Sequence, residues 1–230
     1  MERHALLIFA DSAHTDCKRR GWPSTFRILL ETQGLRLHGA TGCDVHLYTS
    51  RGFRPMIPPS WQFHSQEGAS FGQRLENAIE SLAQSGYEEI VVVGRDCPDL
   101  NQEDIFQAFE LLEQHRLVLG PDHRGGCYLI GFHSCDRSQL RGIRWQRNTD
   151  FHQIVERFGD RDICKLYVKI DLDSLSDGWL LAGSPSHWSG VAKLLKKLLS
   201  ACEFFFCRTT KLYPIEEQRE YWQLPPPLTS

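Results

Sequence analysis

Short apolar runs alternate along the chain with longer stretches in which apolar residues recur every three or four positions. Residues 5–9 form a continuous apolar run, and residues 89–93 form a second run that is rich in β-branched side chains. Such runs are typical of strands buried on both faces of a sheet. The helical spacing predicts helices over residues 25–37, around 75–83, from Asn101 to about His115, and over 151–158. Asn101 is expected to cap the third of these helices.

Shorter runs add further strands to this pattern. They are predicted over residues 44–48, 117–119, 127–130 and 165–170. The stretch 51–65 contains three prolines and is interpreted as a loop or an edge segment. Strands and helices alternate at the spacing of βαβ units. The fold class is therefore predicted as α/β: a mostly parallel central sheet with helices on both faces, in a Rossmann-like three-layer α/β/α arrangement.

A chain of 230 residues is long enough for one substantial core. Residues 1–180 are interpreted as one α/β domain, and residues 181–230 as a helical extension with a proline-rich tail packed on the same domain. The extension contains an amphipathic stretch, 191–199, whose polar face carries lysines. Packing on the domain is favoured over a role at a membrane surface. The sequence leaves open whether this helix forms a homodimer.

Composition excludes several classes of partner. The chain has 26 basic and 29 acidic side chains and a net charge of −3, which argues against a nucleic-acid or membrane-surface partner. The longest apolar run, 5–10, is too short to span a bilayer. Since no secretion signal opens the sequence, a cytoplasmic protein is expected. Its eight cysteines, which lack zinc-finger spacing, should then stay reduced.

The loop 94–100 carries the strongest candidate chemistry. It follows the strand 89–93 and contains Asp96 and Asp99 on either side of Pro98. Ligands of open parallel sheets bind beyond the carboxyl ends of the strands, so Asp96 should point into a cleft. A hard cation such as Mg²⁺ is held by one or two carboxylates together with substrate phosphates and water. Asp99 can serve the same site, or it can set a turn or cap the next helix.

Two glycine-containing segments are further candidates. Residues 66–75 place glycines ahead of a predicted helix, where free amide groups can bind a phosphate, or where Ser70 simply caps the helix. Residues 120–131 contain Gly125 and Gly126, which either let the backbone approach a ligand or make a turn. The neighbouring His123 and Arg124 can contact an anion or lie on a solvated loop.

A fourth segment, 169–177, places three acids after a predicted strand. These acids are Asp171, Asp173 and Asp177. They can supply a second carboxylate to a metal, or they can end the strand and cap a helix.

Taken in order, these segments resemble the bacterial family called domain of unknown function 2064, which is grouped with nucleotide-diphospho-sugar transferases of the glycosyltransferase-A fold. The resemblance covers roughly residues 66–177. The matching residues are Gln66, Gly68, Gly72, Arg74, Gly94, Asp96, Pro98, Leu100, Gly120, Pro121, Gly125, Gly126, Tyr128, Leu129, Ile130, Gly131, Trp145, Thr149, Asp171, Asp173 and Asp177.

The resemblance implies a sheet that binds a nucleotide-sugar or another nucleoside phosphate. It implies Mg²⁺ or Mn²⁺ held by Asp96 and Asp173, with Asp96 and Asp99 as the catalytic candidates. The substrate-binding candidates are Lys18, Arg19, Gln66, Gly68, Arg74, Asp122, Arg124, Gly125, Gly126 and Thr149.

The first loop departs from the family pattern. Members usually follow the first strand with a basic segment, K-x-P-x-x-G-x-x-K-T-R-L, that holds nucleotide phosphates. Residues 11–21 introduce two acids here and leave Lys18, Arg19 and Arg20 to replace the lost charge. The acid before the glycine pair is also replaced, by Arg124.

Three functions are therefore considered. The leading one is a metal-dependent glycosyltransferase that uses a nucleotide-sugar. The second is a nucleotidyltransferase that forms an activated nucleotide from a triphosphate. The third, suggested by the altered first loop, is a non-catalytic nucleotide-binding domain.

Overall fold

A computed structural model describes residues 3–22, 37, 42–50, 57–159, 162–183 and 195–200. The predicted helix over residues 25–37 lies outside these ranges except for Leu37. The first half of the predicted helix at 191–199 and the proline-rich tail also lie outside them.

The described residues form seven strands and five α-helices, together with a short helical stretch near residue 200. The strands are β1 His4–Phe9, β2 Asp44–Thr49, β3 Gln62–Ser65, β4 Glu89–Val93, β5 Leu117–Pro121, β6 Cys127–His133 and β7 Ile163–Lys165. The helices are α1 Ala13–Arg20, α2 Phe71–Gln84, α3 Gln102–Leu112, α4 Asp150–Phe158 and α5 Leu175–Gly183, with a 3-10 helix at Ser134–Leu140. Residues 195–200 are also helical.

The seven strands form one sheet in the order β3-β2-β1-β4-β6-β5-β7. Every neighbouring pair is parallel except the two pairs made by β6, which runs antiparallel to β4 and to β5. Only residues 122–126 connect β5 to β6. So short a connection permits a hairpin, because a parallel crossover needs a dozen residues or more. The predicted mostly parallel α/β sheet is confirmed.

Helices cover both faces of this sheet, as predicted. Alternate residues of β1 point to opposite sides, so Leu7 packs with α2 and α4 while Leu6 packs with α3. Leu75 of α2 and Ile105 of α3 belong to these two separate cores. The burial of β1 and β4 on both sides explains why their sequences lack the polar alternation of a half-exposed strand.

Several boundaries differ from the predictions. The predicted strand over residues 165–170 is wrong in extent, since β7 ends at Lys165 and only an isolated bridge, Asp122–Lys169, continues the pairing. Tyr167 and Val168 are exposed at this edge, so their apolar character does not reflect burial. Helix α3 begins after the predicted cap Asn101 but ends at Leu112, short of His115. The stretch 51–65 does supply an edge strand, β3.

Helix α1 was not predicted, although the sequence carries its end signals. Ser12 accepts a hydrogen bond from the amide of Thr15, and Gly21 has the left-handed conformation (φ 66°) common after a helix. Buried residues of α1 form a third core with α5 and residues 195–200. This core includes Cys17, Trp22, Leu172 and Leu199.

Two further observations concern the described part of the chain. Its six cysteines are all free thiols. None of its helices combines the length and the apolar character that a membrane crossing requires.

Candidate active site

A cleft of about 430 Å³ opens at the carboxyl ends of the parallel strands β1 and β4. The β5–β6 connection, the segment 145–150 and the segment 171–173 complete its walls. This is the edge at which an open parallel sheet binds its ligands. Four arginines line the cleft together with seven aspartates. The site is therefore dominated by paired charges of both signs.

Asp96 lies in this cleft, as the sequence predicted from its place after β4. Gly94 makes room for it, because a Cβ at Gly94 would lie 2.5 Å from Asp96 Oδ1. The backbone carbonyl of Asp96 accepts a hydrogen bond from Leu172 N at 2.7 Å. That bond ties the β4 loop to the segment that carries Asp171 and Asp173.

Arg20 bridges Asp96 and Asp173. Its NH2 group lies 2.7 Å from Asp96 Oδ2, and its NH1 group lies 3.1 Å from Asp173 Oδ1. NH1 also donates to the carbonyl of Leu172. Burial by itself lowers the pKa of Arg20, but the two carboxylates outweigh burial and raise it. The guanidinium is therefore a permanent positive charge between the two predicted metal ligands.

This arrangement does not fit the predicted Mg²⁺ or Mn²⁺ site. One oxygen of each carboxylate is paired with the Arg20 guanidinium instead. No chemical step is therefore assigned to a metal here.

A second charged group surrounds Asp16 on the buried side of α1. Arg19 donates to Asp16 at 2.8 Å, and Arg95 NH2 lies 3.5 Å from the other carboxylate oxygen. Arg95 also donates to the carbonyl of Asp11. Burial raises the pKa of Asp16, partly offset by Arg20 and Arg95. Asp16, one of the two acids in this loop, thus holds Arg19 and Arg95 at the cleft.

Asp171 is the carboxylate that sequence reasoning undervalued. It lines the cleft and is only 8% exposed, and its Oδ1 has no hydrogen-bond partner within the described residues. Burial raises the pKa of Asp171 well above its ordinary value, and Asp96 and Asp122 raise it further. No local sequence signal singles out Asp171, because its environment depends on the bond that joins Leu172 to the distant Asp96 loop.

Asp177, by contrast, serves as a helix cap. Its Oδ2 accepts from the amide of Ser174 at 2.7 Å, and the amide of Asp177 lies 3.4 Å from Ser174 Oγ. This reciprocal pattern satisfies the first amides of α5. Asp177 also binds His123 and Arg124, so it connects α5 to the β5–β6 connection.

The glycine pair is explained by contacts within the protein. A Cβ at Gly125 would lie 2.5 Å from the carbonyl oxygen of Asn148, and Gly125 has a φ of 97°. Asp122 Oδ1 accepts from the amides of Arg124 and Gly126 at 2.6 and 2.9 Å. Asp122, Arg124 and Gly126 line the cleft, while Gly125 packs behind them. The turn predicted for this segment is therefore present, and the approach of a ligand to the glycine backbone stays a prediction.

The remaining candidates divide between the cleft and its surroundings. Arg19 and Gln66 line the cleft, and Gln66 is buried and accepts from Arg74 Nε at 3.1 Å. Arg74 and Thr149 do not line it, and Thr149 instead bonds Gln153 at 3.0 Å.

Three more predicted residues also lie away from the cleft lining. Gly68 packs on the backbone of α2, where a Cβ would lie 2.9 Å from the amide nitrogen of Arg74. Lys18 is exposed on α1. The carbonyl of Asp99 accepts from Lys169 Nζ at 2.9 Å. The backbone of Asp99 thus helps to hold the loop 94–100 in place, and Asp99 does not line the cleft as Asp96 does.

Residues 36–147 match the family described as "Uncharacterized protein conserved in bacteria (DUF2064)", which is the family that the sequence motifs resemble. The predicted resemblance is thereby confirmed. No curated protein matches the chain.

Solved structures share the fold. A "putative nucleotide-diphospho-sugar transferase" from Desulfovibrio desulfuricans G20 is 23% identical, with a TM-score of 0.72 over 87% of this chain and 98% of that one. The 4-diphosphocytidyl-2C-methyl-D-erythritol synthase of Anaerococcus prevotii DSM 20548 is 10% identical, with a TM-score of 0.53 over 76% and 92%. A Mycobacterium tuberculosis H37Rv protein in complex with manganese is 14% identical, with a TM-score of 0.51 over 76% and 95%. At these identities the likeness establishes the fold alone, a mostly parallel α/β sheet covered by helices.

Proposed function

We propose that this protein is a transferase that binds a nucleotide-sugar in the cleft beyond β1 and β4. One observation carries the proposal: four arginines line the cleft at the strand ends where this fold class binds ligands, and two of them, Arg19 and Arg124, are partly exposed to it. Guanidinium groups bind phosphate oxygens through two parallel hydrogen bonds, so such a cluster suits a diphosphate.

The cleft residues have distinct parts in this proposal. Arg19 on α1 and Arg124 in the β5–β6 connection are 46% and 32% exposed and can bind a phosphate in the cleft. Their charges would stabilise the leaving nucleoside diphosphate, which gains negative charge as the sugar departs. Asp96 and Asp171 would face the sugar or its acceptor from the β4 side, whereas Asp99, outside the cleft lining, has a supporting role only.

The predicted Mg²⁺ or Mn²⁺ is a separate matter from nucleotide binding. It would need Asp96 and Asp173, which Arg20 already pairs. The manganese complex of a protein with this fold motivates testing each nucleotide both with a divalent ion and with EDTA.

A nucleotidyltransferase is the second candidate, and a specific observation favours it: a solved synthase named for its diphosphocytidyl product has this fold. Both reactions use a nucleoside phosphate at the same strand ends. Released nucleoside diphosphate would identify the glycosyl transfer, and released pyrophosphate would identify the nucleotidyl transfer.

The direct test is calorimetric titration with a panel of nucleoside diphosphates, triphosphates and sugar nucleotides. We expect at least one to bind, and we expect Arg19→Ala to weaken it about tenfold through the loss of one charged hydrogen bond. Arg116→Ala is the matched control, because Arg116 is 48% exposed and pairs with Asp136 outside the cleft. Binding without turnover would leave the non-catalytic nucleotide-binding domain, and no binding by any nucleotide would refute all three functions.

A further inference from the structure

We propose that the guanidinium of Arg20 takes the place of a divalent cation at the carboxylate pair Asp96 and Asp173, so that the folded protein does not take up such an ion there. This inference concerns the metal alone and holds or fails independently of the function proposed above.

Geometry is the first argument. Arg20 directs NH2 to Asp96 at 2.7 Å and NH1 to Asp173 at 3.1 Å, and so joins two carboxylates that lie far apart in sequence. A metal ion between them would need the same oxygens at about 2.0–2.6 Å. The guanidinium and the ion therefore cannot share Asp96 Oδ2 and Asp173 Oδ1.

Charge gives the second argument. Arg20 offsets part of the repulsion that Asp96 and Asp173 would otherwise exert on each other. A divalent ion near the bridged pair would meet a fixed positive charge at short range, in a cleft where screening is weaker than in water. Its entry thus requires the guanidinium to leave.

Packing opposes that departure. The Arg20 side chain is 10% exposed, and its guanidinium lies 5.0 Å from the centre of the Trp22 ring. Trp22 belongs to the third core, in which Cys17, Leu172 and Leu199 also pack. Helix α1 packs in this core and ends at the left-handed Gly21, so its last residue, Arg20, is held beside Asp96 and Asp173.

The test measures Mn²⁺ binding to the protein alone, by electron paramagnetic resonance of the free ion. Wild type is expected to bind no Mn²⁺ at the pair, so that Asp96→Asn changes nothing. Arg20→Met keeps an apolar stem of similar length and is expected to tighten Mn²⁺ binding at least about tenfold, since it removes a repelling charge and frees the carboxylates.

Two controls define the site. The double variant Arg20→Met/Asp96→Asn should lose the gained affinity. Lys196→Met removes a positive charge from an exposed position away from the cleft and should match wild type. Wild-type Mn²⁺ binding that Asp96→Asn abolishes would overturn the proposal, and so would a folded Arg20→Met with no gain. If Arg20→Met does not fold, the comparison of wild type with Asp96→Asn still decides.

Discussion

His46 on β2 is the residue outside the cleft whose environment has the clearest measurable consequence. It is 2% exposed, and its Nδ1 lies 3.1 Å from Nε2 of His64 on the neighbouring strand β3. Burial, together with the nearby His64, lowers the pKa of His46 to about 4. Burial also lowers the pKa of His64. Both rings are therefore neutral in the folded protein at neutral pH.

This lowered pKa predicts a loss of stability in mild acid. The unfolded chain takes up a proton at His46 near pH 6.5, whereas the folded protein does so only near pH 4. The contribution of His46 to the free energy of unfolding should therefore be fully retained above pH 6.5 and be lost as the pH falls from 6.5 to 4. The slope from this site should approach about 1.4 kcal/mol per pH unit. Urea unfolding across this pH range measures it.

The matched variants isolate the contribution of His46. His46→Phe should flatten the slope and leave a smaller part from His64. His14→Gln changes an exposed histidine on α1 and should keep the wild-type slope. Equal slopes in all three proteins would contradict the prediction.

Asp177 shows how one buried carboxylate joins two elements. It is 1% exposed at the start of α5 and contacts His123 and Arg124 of the β5–β6 connection. Burial alone would raise the pKa of Asp177, but hydrogen bonds from Ser174 and Arg124 outweigh burial and lower it. The position of Arg124 in the cleft therefore depends on the α5 cap.

We expect Asp177→Asn to lower the free energy of unfolding by about 2 kcal/mol. Removing one partner of a buried charge pair is strongly destabilising, although the partial exposure of Arg124 reduces the loss. Glu156→Gln makes a matched carboxylate-to-amide change at an exposed position on α4 and should change stability by less than about 0.5 kcal/mol. Both values come from urea unfolding, and an Asp177→Asn protein as stable as wild type would refute this role.

At the scale of the whole molecule, the third core links the beginning of the chain to residues 195–200. Leu199 is 1% exposed and packs 3.4 Å from the position a Cβ would take at Gly178. The same core holds Trp22 and Leu172, which flank Arg20. Residues 195–200 therefore contribute to the surroundings of the candidate site.

Leu199→Ala tests this connection. We expect it to reduce the free energy of unfolding by about 2–5 kcal/mol, because it leaves a cavity in a buried core. Lys196→Ala, on the exposed side of the same helix, should be close to neutral. A single cooperative urea transition that shifts for Leu199→Ala would place the extension in the same folding unit as the sheet. Two independent transitions would argue against it.

Some features of the fold were determined by local sequence. The continuous apolar character of β1 and β4 predicts buried strands because burial on both faces removes the polar alternation. Asn101 identifies the start of α3, since its side chain accepts from the amides of Glu103 and Asp104. The strand predicted over residues 165–170 was too long, because the apolar side chains of Tyr167 and Val168 are exposed and do not belong to a buried strand.

The sequence by itself determined the mostly parallel sheet and the place of Asp96 at a strand end. Hydrophobic periodicity and the alternation of strands with helices can be recognised in short stretches of chain. Only the tertiary structure decided what Asp96 faces. Arg20 lies 76 residues before Asp96 and still bonds it, since α1 packs on the third core and turns its end toward the cleft. The same long-range packing gives Asp173 a guanidinium partner and buries Asp171, whose Oδ1 has no hydrogen-bond partner among the described residues. Neither outcome has a local signal, because charge pairing across the sheet edge depends on which distant segments the fold brings together.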